Sequence, residues 1–579
     1  WNHFQRPDER WNAGAFVTYN FTERLEGYME IMFMDDVTTA QIAPTGNFNV
    51  APNVNCDNPM LSEQQYDIIC VQGGYADDEI ATVSINRRSL EGGPRDWRHA
   101  HTNFRLLAGL RGDLSDQWSY DLYGMHTQMN FLEIGGNDAN VTRMQNALDI
   151  IEDPDTGEWV CRSGDAGCVP WNIFVNNGNQ IVDDPALGVT QESIDYMYTR
   201  YLDSGGSAIQ VINLTFTGDL EGYGLALPSA NEGIQLAAGA EHRNESMWRQ
   251  PDEVNVQGSA GSGGGAEQIN AAYNVNEVFV EALIPLVQDA TGFHDLSAEL
   301  GYRYSDYSTS GGQNTWKALL SWAPTPSFRF RVSYNQAIRS ANIFEMFRPA
   351  GLNLGGTFDP CSTPNPTATF EECARTGVTQ GQYGEIDSNP ANQYNTFEGG
   401  NPDLDPETAK TMTVGIVITP SGLPGFTATV DYYDIAIEDA IDPLAYGTIM
   451  NQCTETGDPE YCDLINRDQF GSLWNTNQGF VVTTYQNVGL YDNSGVDLSV
   501  SYLASLGSAG FLNTDIAGTY MMENAFEQAG VGYDCAGYFG LGSCGDPQAD
   551  WRHRFRMTWE TNFNATFSLG WRYIGKVWN

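Results

Sequence analysis

The chain has 579 residues, with 28 Lys and Arg against 74 Asp and Glu, so its formal net charge at pH 7 is −46. A surface this acidic repels phosphate backbones, which argues against nucleic acid as a partner. No stretch approaches the ~20 consecutive apolar residues that a membrane-spanning helix needs. A membrane-spanning barrel strand needs only ~10 residues, with every second side chain apolar.

Segments that alternate apolar and polar residues recur along the whole chain. The clearest, 328–335, places Phe328, Phe330, Val332 and Tyr334 on one face and Arg329 and Arg331 on the other. Such alternation predicts strands with one face toward lipid and one toward water. About 16 crossing strands are predicted, in chain order: 11–21, 25–40, 102–113, 118–131, 207–218, 233–248, 273–287, 296–303, 313–322, 328–335, 411–418, 426–433, 495–502, 510–523, 551–560 and 565–572.

The connections between these segments alternate in length. Short turns are predicted at 22–24, 114–117, 289–295, 323–327, 420–425, 505–510 and 561–564, with a longer one at 219–232. Every second connection is predicted to be long: 41–78, 137–204, 340–408, 440–493 and 528–550. Segments 80–90 and 480–487 are predicted hairpin arms above the membrane. Short turns at one end and long loops at the other predict an all-β, transmembrane antiparallel barrel.

The ten cysteines form five close pairs, and all of them lie in the long connections. Local pairs of this kind predict disulfides in an oxidising compartment, since their spacing fits no zinc motif. Closing a loop of ~15 residues is worth roughly 3 kcal/mol, which orders a loop without replacing a core. The predicted bonds are Cys56–Cys70, Cys161–Cys168, Cys361–Cys373, Cys453–Cys462 and Cys535–Cys544.

Arginines recur on the polar face of the predicted strands, which is conspicuous in so acidic a chain. They could guide an anionic ligand, or they could pair with an internal plug and with wall carboxylates such as Glu299 and Glu560; an inward charge needs a partner, which favours pairing. The predicted lumen-facing arginines are Arg105, Arg111, Arg303, Arg329, Arg331, Arg552, Arg554, Arg556 and Arg572.

The long connections carry aromatic residues beside carboxylates and amides. Such a mixture suits a sugar or peptide ligand, although the same residues could pack the disulfide-bonded loops. The longest stapled connection, 340–408, is predicted to be the main determinant of specificity. The candidate ligand-binding residues are Phe358, Asp359, Tyr383, Asp387 and Tyr394 in that connection, and Trp474 in the next long one.

No catalytic motif is recognisable. Segment 570–576 resembles a phosphate-binding loop, but Val577 stands where Ser or Thr would hold magnesium, so a strand is favoured. The seven histidines form no H-E-x-x-H motif, and there is no G-x-S-x-G motif. The sequence therefore predicts neither an enzyme, nor a cofactor, nor a metal site.

Several short motifs occur in a familiar order. They are Glu281-Ala-Leu-Ile-Pro-Leu286, Tyr302-Arg-Tyr-Ser-Asp-Tyr307, Asn401-Pro-Asp-Leu-Asp-Pro-Glu-Thr408, Val430-Asp-Tyr-Tyr-Asp-Ile435, Ser494-Gly-Val-Asp-Leu498 and Trp571-Arg-Tyr-Ile-Gly575. Over nearly its whole length the chain resembles the barrel of TonB-dependent outer-membrane receptors. The resemblance implies a 22-stranded barrel with an N-terminal plug and a TonB box; residues 1–579 would be a barrel fragment, with the plug and about six end strands missing.

The resemblance also implies a function. A receptor of this family sits in the bacterial outer membrane among lipid and lipopolysaccharide, and binds a nutrient such as an oligosaccharide, a peptide or a siderophore. The TonB–ExbB–ExbD complex then drives import by acting on the plug. Two alternatives stay open: a passive porin, against which connections of more than fifty residues argue, and a barrel that anchors a surface assembly.

Overall fold

The computed structural model describes residues 2–48, 50–258, 265–528, 530–540 and 544–579. Within them, sixteen long strands account for most of the regular structure. They are β1 Asp8–Thr22, β2 Leu25–Ile42, β3 Arg95–Asp113, β4 Trp118–Ala139, β5 Tyr198–Asp219, β6 Gln235–Pro251, β7 Ile269–Ala290, β8 Phe293–Tyr307, β9 Gly311–Thr325, β10 Phe328–Arg339, β11 Glu407–Ile418, β12 Phe426–Pro443, β13 Tyr485–Ser505, β14 Phe511–Gln528, β15 Trp551–Glu560 and β16 Thr566–Ile574.

Each long strand pairs antiparallel with the next one along the chain, from β1 to β16. A short seventeenth strand, Val531–Asp534, extends the sheet by pairing with the end of β14. Within the described ranges, no pairing joins β1 to β16, so these two are the edges of the sheet. The sixteen predicted crossing strands are confirmed, although several are longer than predicted; β4, for example, continues to Ala139.

Most connections alternate in length as predicted, with one exception. Strands β8 and β9 are joined by residues 308–310 alone, on the side where the other connections are longer. The reason is local: Tyr307 pairs with Gly311, whose φ of +68° closes a three-residue turn at a position that glycine favours. The prediction that every second connection is long is therefore wrong at this place.

The segments predicted as hairpin arms do form short antiparallel strands outside the main sheet, but their partners are not their immediate neighbours. The prediction is wrong from Tyr485 onward. Ile80–Thr82 pairs with Asn53–Asn55, and Asn86–Arg88 pairs with Gly46–Phe48, so both strands join the start of the same connection. Residue Tyr485 already begins the long strand β13. Hydrogen bonding to a distant segment leaves no trace in local alternation, which is why the sequence did not show these partners.

One face of the sheet is apolar across neighbouring strands. On β10, the side chains of Phe328, Phe330, Val332 and Tyr334 are 42%, 40%, 44% and 40% exposed. Their register partners on β11 are Ile418, Ile416, Val414 and Met412, which continue the same apolar face. The described helices are all too short or too polar to span a membrane.

The long connections carry small helices and strands. The described α-helices are Glu63–Tyr66, Val141–Leu148, Gln191–Met197, Glu253–Val256, Ile343–Phe347, Phe370–Arg375, Tyr446–Thr456 and Pro459–Cys462. Short strands outside the main sheet are Gly46–Phe48, Asn53–Asn55, Ile80–Thr82, Asn86–Arg88, Ile150–Glu152, Trp159–Cys161, Gly351–Gly356, Tyr394–Glu398, Ile465–Asn466 and Phe480–Val482. A π-helical turn occurs at Asp67–Val71, and the tighter 3₁₀ turns are Leu90–Gly92, Pro185–Leu187, Glu221–Tyr223 and Gly507–Ala509.

Connections 43–94 and 140–197 pack together into what we call the first loop module. Its core contains the fully buried side chains of Val54, Met144, Leu148 and Trp171. Backbone and side chain also join the two connections, because Gln145 accepts a hydrogen bond from Asn53 N and donates one to Asn53 O. The largest core of the module is shared by both connections, so the packing of each stabilises the other.

Connections 340–406 and 444–484 form the second loop module. Its core includes Tyr394, Ile449, Met450 and Leu473. A four-stranded sheet crosses both connections in the order Gly351–Gly356, Tyr394–Glu398, Phe480–Val482, Ile465–Asn466. The two modules therefore have the same organisation, because two connections contribute to the core of each.

All five predicted disulfides are confirmed, and every cysteine of the described residues is bonded. Cys56–Cys70 and Cys161–Cys168 belong to the first loop module. Cys361–Cys373 and Cys453–Cys462 belong to the second. Each of these four bonds lies in or beside a small apolar cluster, which is consistent with local stapling of the loops.

Candidate functional site at the loop end of the barrel

Five of the arginines predicted on the polar face form ion pairs with carboxylates of the sheet. Arg331 on β10 donates to Asp431 on β12 from Nε at 2.9 Å and from Nη2 to both carboxylate oxygens at 2.8 Å. The strand between them contributes Gly415, where a Cβ would overlap Asp431 Oδ1. The remaining four pairs are Arg105–Glu30, Arg111–Glu26, Arg303–Glu277 and Arg329–Asp295.

The wall carboxylates that the sequence singled out behave differently. Glu299 pairs with Lys317 at 2.8 Å and not with an arginine, while the same lysine also reaches Glu281 at 2.9 Å. Glu560 makes no ion pair with any described residue. The other predicted arginines, Arg552, Arg554, Arg556 and Arg572, lie on the last two strands of the sheet and likewise form no ion pair in the described part of the chain.

Asp359, predicted as a ligand contact, is instead part of a buried ion pair. Its two carboxylate oxygens accept hydrogen bonds from Arg467 at 2.7 and 2.9 Å, and the side chains are 0% and 3% exposed. Arg467 also donates to Thr376 Oγ1 and to Gly471 O. The pair joins the two connections of the second loop module, so Asp359 has no face left for a ligand.

Three further candidates also serve the packing of this module. Tyr394 is only 2% exposed and stacks on Tyr446 at 6.5 Å between ring centroids. Burial, followed by the nearby carboxylate of Asp359, raises the pKa of Tyr446 far above its usual value. Tyr383 donates its hydroxyl to Ala368 O, and Phe358 packs edge-on against Tyr446. Of the two roles considered for these aromatic residues, ligand contact and loop packing, this geometry favours loop packing.

Trp474 lines a large cavity, and the predicted candidate Asp387 contacts Trp474 only through its backbone carbonyl. Trp474 Nε1 donates to Asp387 O at 2.9 Å, which fixes the indole ring. The cavity has a volume of about 560 Å³ and is lined by both loop modules. Phe48, Val50 and Arg88 come from the first module, and segments 389–395 and 474–478 come from the second. We call this space the amide cavity.

Side-chain amides dominate the second module's contribution to the amide cavity. Asn389 and Asn395 are used in the framework: Asn389 donates to Gln393 O, and Asn395 donates to Thr476 O and Gly479 O. Five others make no hydrogen bond to a described protein group through their side chains. They are Gln393, Gln469, Asn475, Asn477 and Gln478.

The backbone that carries these amides is held firmly. Ser472 Oγ accepts hydrogen bonds from the backbone N–H groups of Trp474 and Asn475, both at 3.1 Å. Asp468 in turn accepts from Ser472 N at 2.8 Å and from the Thr476 hydroxyl at 3.1 Å. The cavity wall is therefore ordered before any ligand arrives, which lowers the entropic cost of binding.

Two smaller cavities adjoin the amide cavity. One of about 340 Å³ shares Leu354, Asn395 and Asn477 with it. Another of about 450 Å³ shares Leu354 and Gln393 and extends to Glu133, Tyr201, Asp203 and Arg249 on the polar face of β4, β5 and β6. The three spaces thus run from the loop modules to the inner wall of the sheet.

The inner cavity contains an incompletely paired carboxylate. Asp203 is 4% exposed, and its Oδ2 accepts a hydrogen bond from Arg249 Nε at 2.7 Å. Its Oδ1 is buried without a hydrogen-bond partner among the described residues. A buried acceptor of this kind gains most from a ligand that donates a hydrogen bond.

Of the residues predicted from the sequence to bind ligand, Trp474 lines the amide cavity, whereas the amides around it were not predicted. A local signal was present, because Trp474 is followed by Asn475, Thr476, Asn477 and Gln478. Gln393 and Gln469 gave no such signal, since the chain brings them to the cavity from separate segments. The described residues contain no group of three or more His, Cys, Asp or Glu side chains that could hold a metal ion.

Comparisons with known proteins place the chain in a family. A family model described as "TonB dependent receptor-like, beta-barrel" matches residues 71–579. A search of curated protein sequences gives no significant match. Among solved structures, the ferripyoverdine receptor of the outer membrane of Pseudomonas aeruginosa is 9% identical, with a TM-score of 0.50; the alignment covers 99% of this chain and 56% of that one.

Two other solved structures also match. The RagAB peptide transporter is 11% identical with a TM-score of 0.50, covering 98% of this chain and 58% of that one. The siderophore receptor PirA from Acinetobacter baumannii is 12% identical with a TM-score of 0.49, covering 96% of this chain and 57% of that one. The chain thus spans little more than half the length of these structures, and identities this low bear on the fold alone. Because the family model covers well over half of the 579 residues, the chain belongs to the TonB-dependent receptor-like β-barrel family.

Proposed function

We propose that this chain is the barrel of a bacterial outer-membrane transporter that captures a nutrient at its loop end and imports it with energy supplied through TonB. The apolar face of the sheet meets lipid, and the polar face lines the lumen. The ends that carry the disulfides face the cell exterior, where bonds of this kind persist. The TonB–ExbB–ExbD complex is the proposed energy source for the full-length protein.

The observation that carries this proposal is the series of three cavities from the loop modules to the polar wall. Its outer member is lined by Trp474 and by amides, and its inner member reaches Asp203 and Arg249. A ligand captured outside would thus meet polar groups along its way inward. Lumen-facing Arg303, Arg329 and Arg331 form ion pairs within the wall, and we assign them a structural role.

A passive porin would keep its lumen open and would need no ordered capture site. The two loop modules, each with a packed core and two disulfides, argue for recognition instead. A barrel that merely anchors a surface assembly would show no ligand uptake at all. The three functions can therefore be distinguished by whether nutrient uptake depends on the gene and whether it depends on TonB.

The test uses the full-length gene product in its own cells. A gene deletion is complemented with the wild-type gene, and growth is compared on a series of single large nutrients and single iron chelates, in strains with and without functional TonB. We expect at least one source on which growth needs both the gene and TonB. Growth that needs the gene but not TonB would identify a porin, and growth that never depends on the gene would refute a transport role.

A further inference from the structure

The amide cavity is nearly free of charge in a chain whose net charge is −46. Of the described residues that line it, none is Asp or Glu, and Arg88 is the one charged side chain. Arg88 is already engaged, because its Nη1 donates to Pro44 O at 2.7 Å and its guanidinium lies 4.7 Å from the centroid of Phe48. Burial lowers the pKa of Arg88, followed by the influence of neighbouring Arg95.

The near absence of charged side chains in the amide cavity argues against charged ligands. Recognition of an anionic metal chelate needs cationic side chains, and the charged ends of a short peptide need opposite charges of their own. Neither is offered by Gln393, Gln469 or the segment 474–478. A side-chain amide instead presents one carbonyl acceptor and two N–H donors. A sugar hydroxyl both donates and accepts, so it can use both groups of the same amide.

Trp474 adds the second element of such a site. Its ring packs on one side against the core of the second loop module and remains partly exposed at the cavity. The hydrogen bond from its Nε1 to Asp387 O holds the ring plane in place. A rigid, electron-rich aromatic face suits the C–H groups on the flat side of a pyranose ring, and its rigidity costs little entropy on binding.

We propose that the amide cavity binds an uncharged oligosaccharide, with Trp474 stacking against a sugar ring and Gln393, Gln469, Asn475, Asn477 and Gln478 bonding its hydroxyls. This inference rests on the proposed transport function and names its substrate class. The volume of about 560 Å³ lies within the range of ~300–1,000 Å³ typical of ligand sites. The adjoining cavities, including the buried acceptor Asp203 Oδ1, extend the site for further sugar units.

The alternative is an extended peptide. Gly351–Gly356 is an edge strand of the loop sheet, and Leu352, Asn353 and Leu354 line the two adjoining cavities. A peptide could add to that edge by backbone hydrogen bonds. Gln393 and Asn477 also line the adjoining cavities. The other three of the five unpaired amides, Gln469, Asn475 and Gln478, line the outer cavity alone, which favours the sugar.

Binding is measured by calorimetry on the purified full-length receptor in detergent. The probes are an array of neutral glycans that includes maltohexaose, cellohexaose, xylohexaose and chitohexaose, together with a tripeptide library and ferric catecholates. We expect one neutral glycan to bind saturably, with an affinity that is unchanged between low and high salt because no charge is involved.

Variants locate the site. Asn477→Ala with Gln478→Ala removes two exposed amides and should weaken glycan binding about tenfold, since each neutral hydrogen bond contributes a few-fold. Trp474→Ala should weaken binding further; because this ring also packs, the amide variant is the decisive one. Gln64→Ala is the matched control, since Gln64 is an exposed amide in helix Glu63–Tyr66 of the other module.

The outcomes are distinct. The proposal is supported if a neutral glycan binds and if its affinity is lower for the Asn477→Ala, Gln478→Ala variant but unchanged for Gln64→Ala. Binding of a peptide or a ferric catecholate with no neutral glycan bound would overturn it while leaving TonB-dependent transport intact. Glycan binding that the amide variant leaves unchanged would overturn the assignment of this cavity.

Discussion

Replacing Asp359 by Asn should loosen the second loop module as a unit. The substitution keeps the size of the side chain but leaves the guanidinium of Arg467 buried and without a counter-charge. Both side chains are almost inaccessible, at 0% and 3% exposure. Removing one partner of such a buried pair costs roughly 3–5 kcal/mol.

The double variant Asp359→Asn, Arg467→Met separates the charge from the hydrogen bonds. No charge then remains buried, but Thr376 Oγ1 and Gly471 O lose the donor that Arg467 supplied. At ~1 kcal/mol for each hydrogen bond, the double variant should lose about 2 kcal/mol. It should therefore be more stable than the single variant, although it carries one more substitution.

Hydrogen–deuterium exchange of the full-length receptor measures this locally. Strands Tyr394–Glu398 and Phe480–Val482 come from the two connections that the ion pair joins, so their amides report its loss. In Asp359→Asn their exchange should accelerate roughly 150- to 5,000-fold, because each 1.4 kcal/mol is a factor of ten. The main sheet should be unaffected.

Asp57→Asn is the matched control in the first loop module. Asp57 pairs with Arg162, but the two side chains are 39% and 36% exposed, and Arg162 keeps a second partner in Asp149. An exposed pair contributes only ~0–1 kcal/mol. If Asp359→Asn accelerated exchange no more than Asp57→Asn does, the buried pair would not be what holds the second module together.

Three further predictions concern the sheet and the first module. Val332→Arg should cost ~2–4 kcal/mol of barrel stability near the midplane, and Arg331→Gln should cost less; equal losses in urea unfolding in lipid vesicles would contradict the assigned faces. Gly415→Ala should destabilise the barrel in the same assay by ~1–3 kcal/mol because its methyl group overlaps Asp431, and adding Asp431→Ala should relieve the loss. Burial, with a hydrogen bond to a carboxylate, raises the pKa of Tyr196 from 10.0 to about 12, so its contribution to stability is complete below pH 10 and is lost as pH rises through 12. The difference in tyrosinate absorbance between wild type and Tyr196→Phe should therefore appear near pH 12. A difference that appears near pH 10 would refute the burial of Tyr196.

The strands of this protein were predictable because lipid on one side and a polar lumen on the other impose strict alternation. Segment 328–335 shows this most clearly, with Phe330 and Val332 on the apolar face and Arg331 on the other. The disulfides were predictable for a similar reason, since each pair closes a short local loop. Properties determined by neighbours in sequence can be recognised in the sequence.

The loop modules could not be predicted in the same way. Trp171 is buried among residues of both connections of the first module, and Asp359 meets Arg467 across a separation of 108 residues. No local sequence pattern distinguishes an aspartate that binds a ligand from one that forms an ion pair with an arginine far away in the sequence. The same limit explains why Gln393 was not among the predicted candidates, since only the fold brings it to the amide cavity beside Trp474.

In the proposed function, the ligand is captured at the loop end and is then imported with energy from TonB. Whole cells that carry the full-length gene are given the radiolabelled glycan identified on the array, and cell-associated label is followed with and without a protonophore. We expect rapid saturable binding that persists with the protonophore, followed by an accumulation phase that the protonophore abolishes. Accumulation that continues undiminished without the proton-motive force would contradict the proposed function and would identify the barrel as a passive pore.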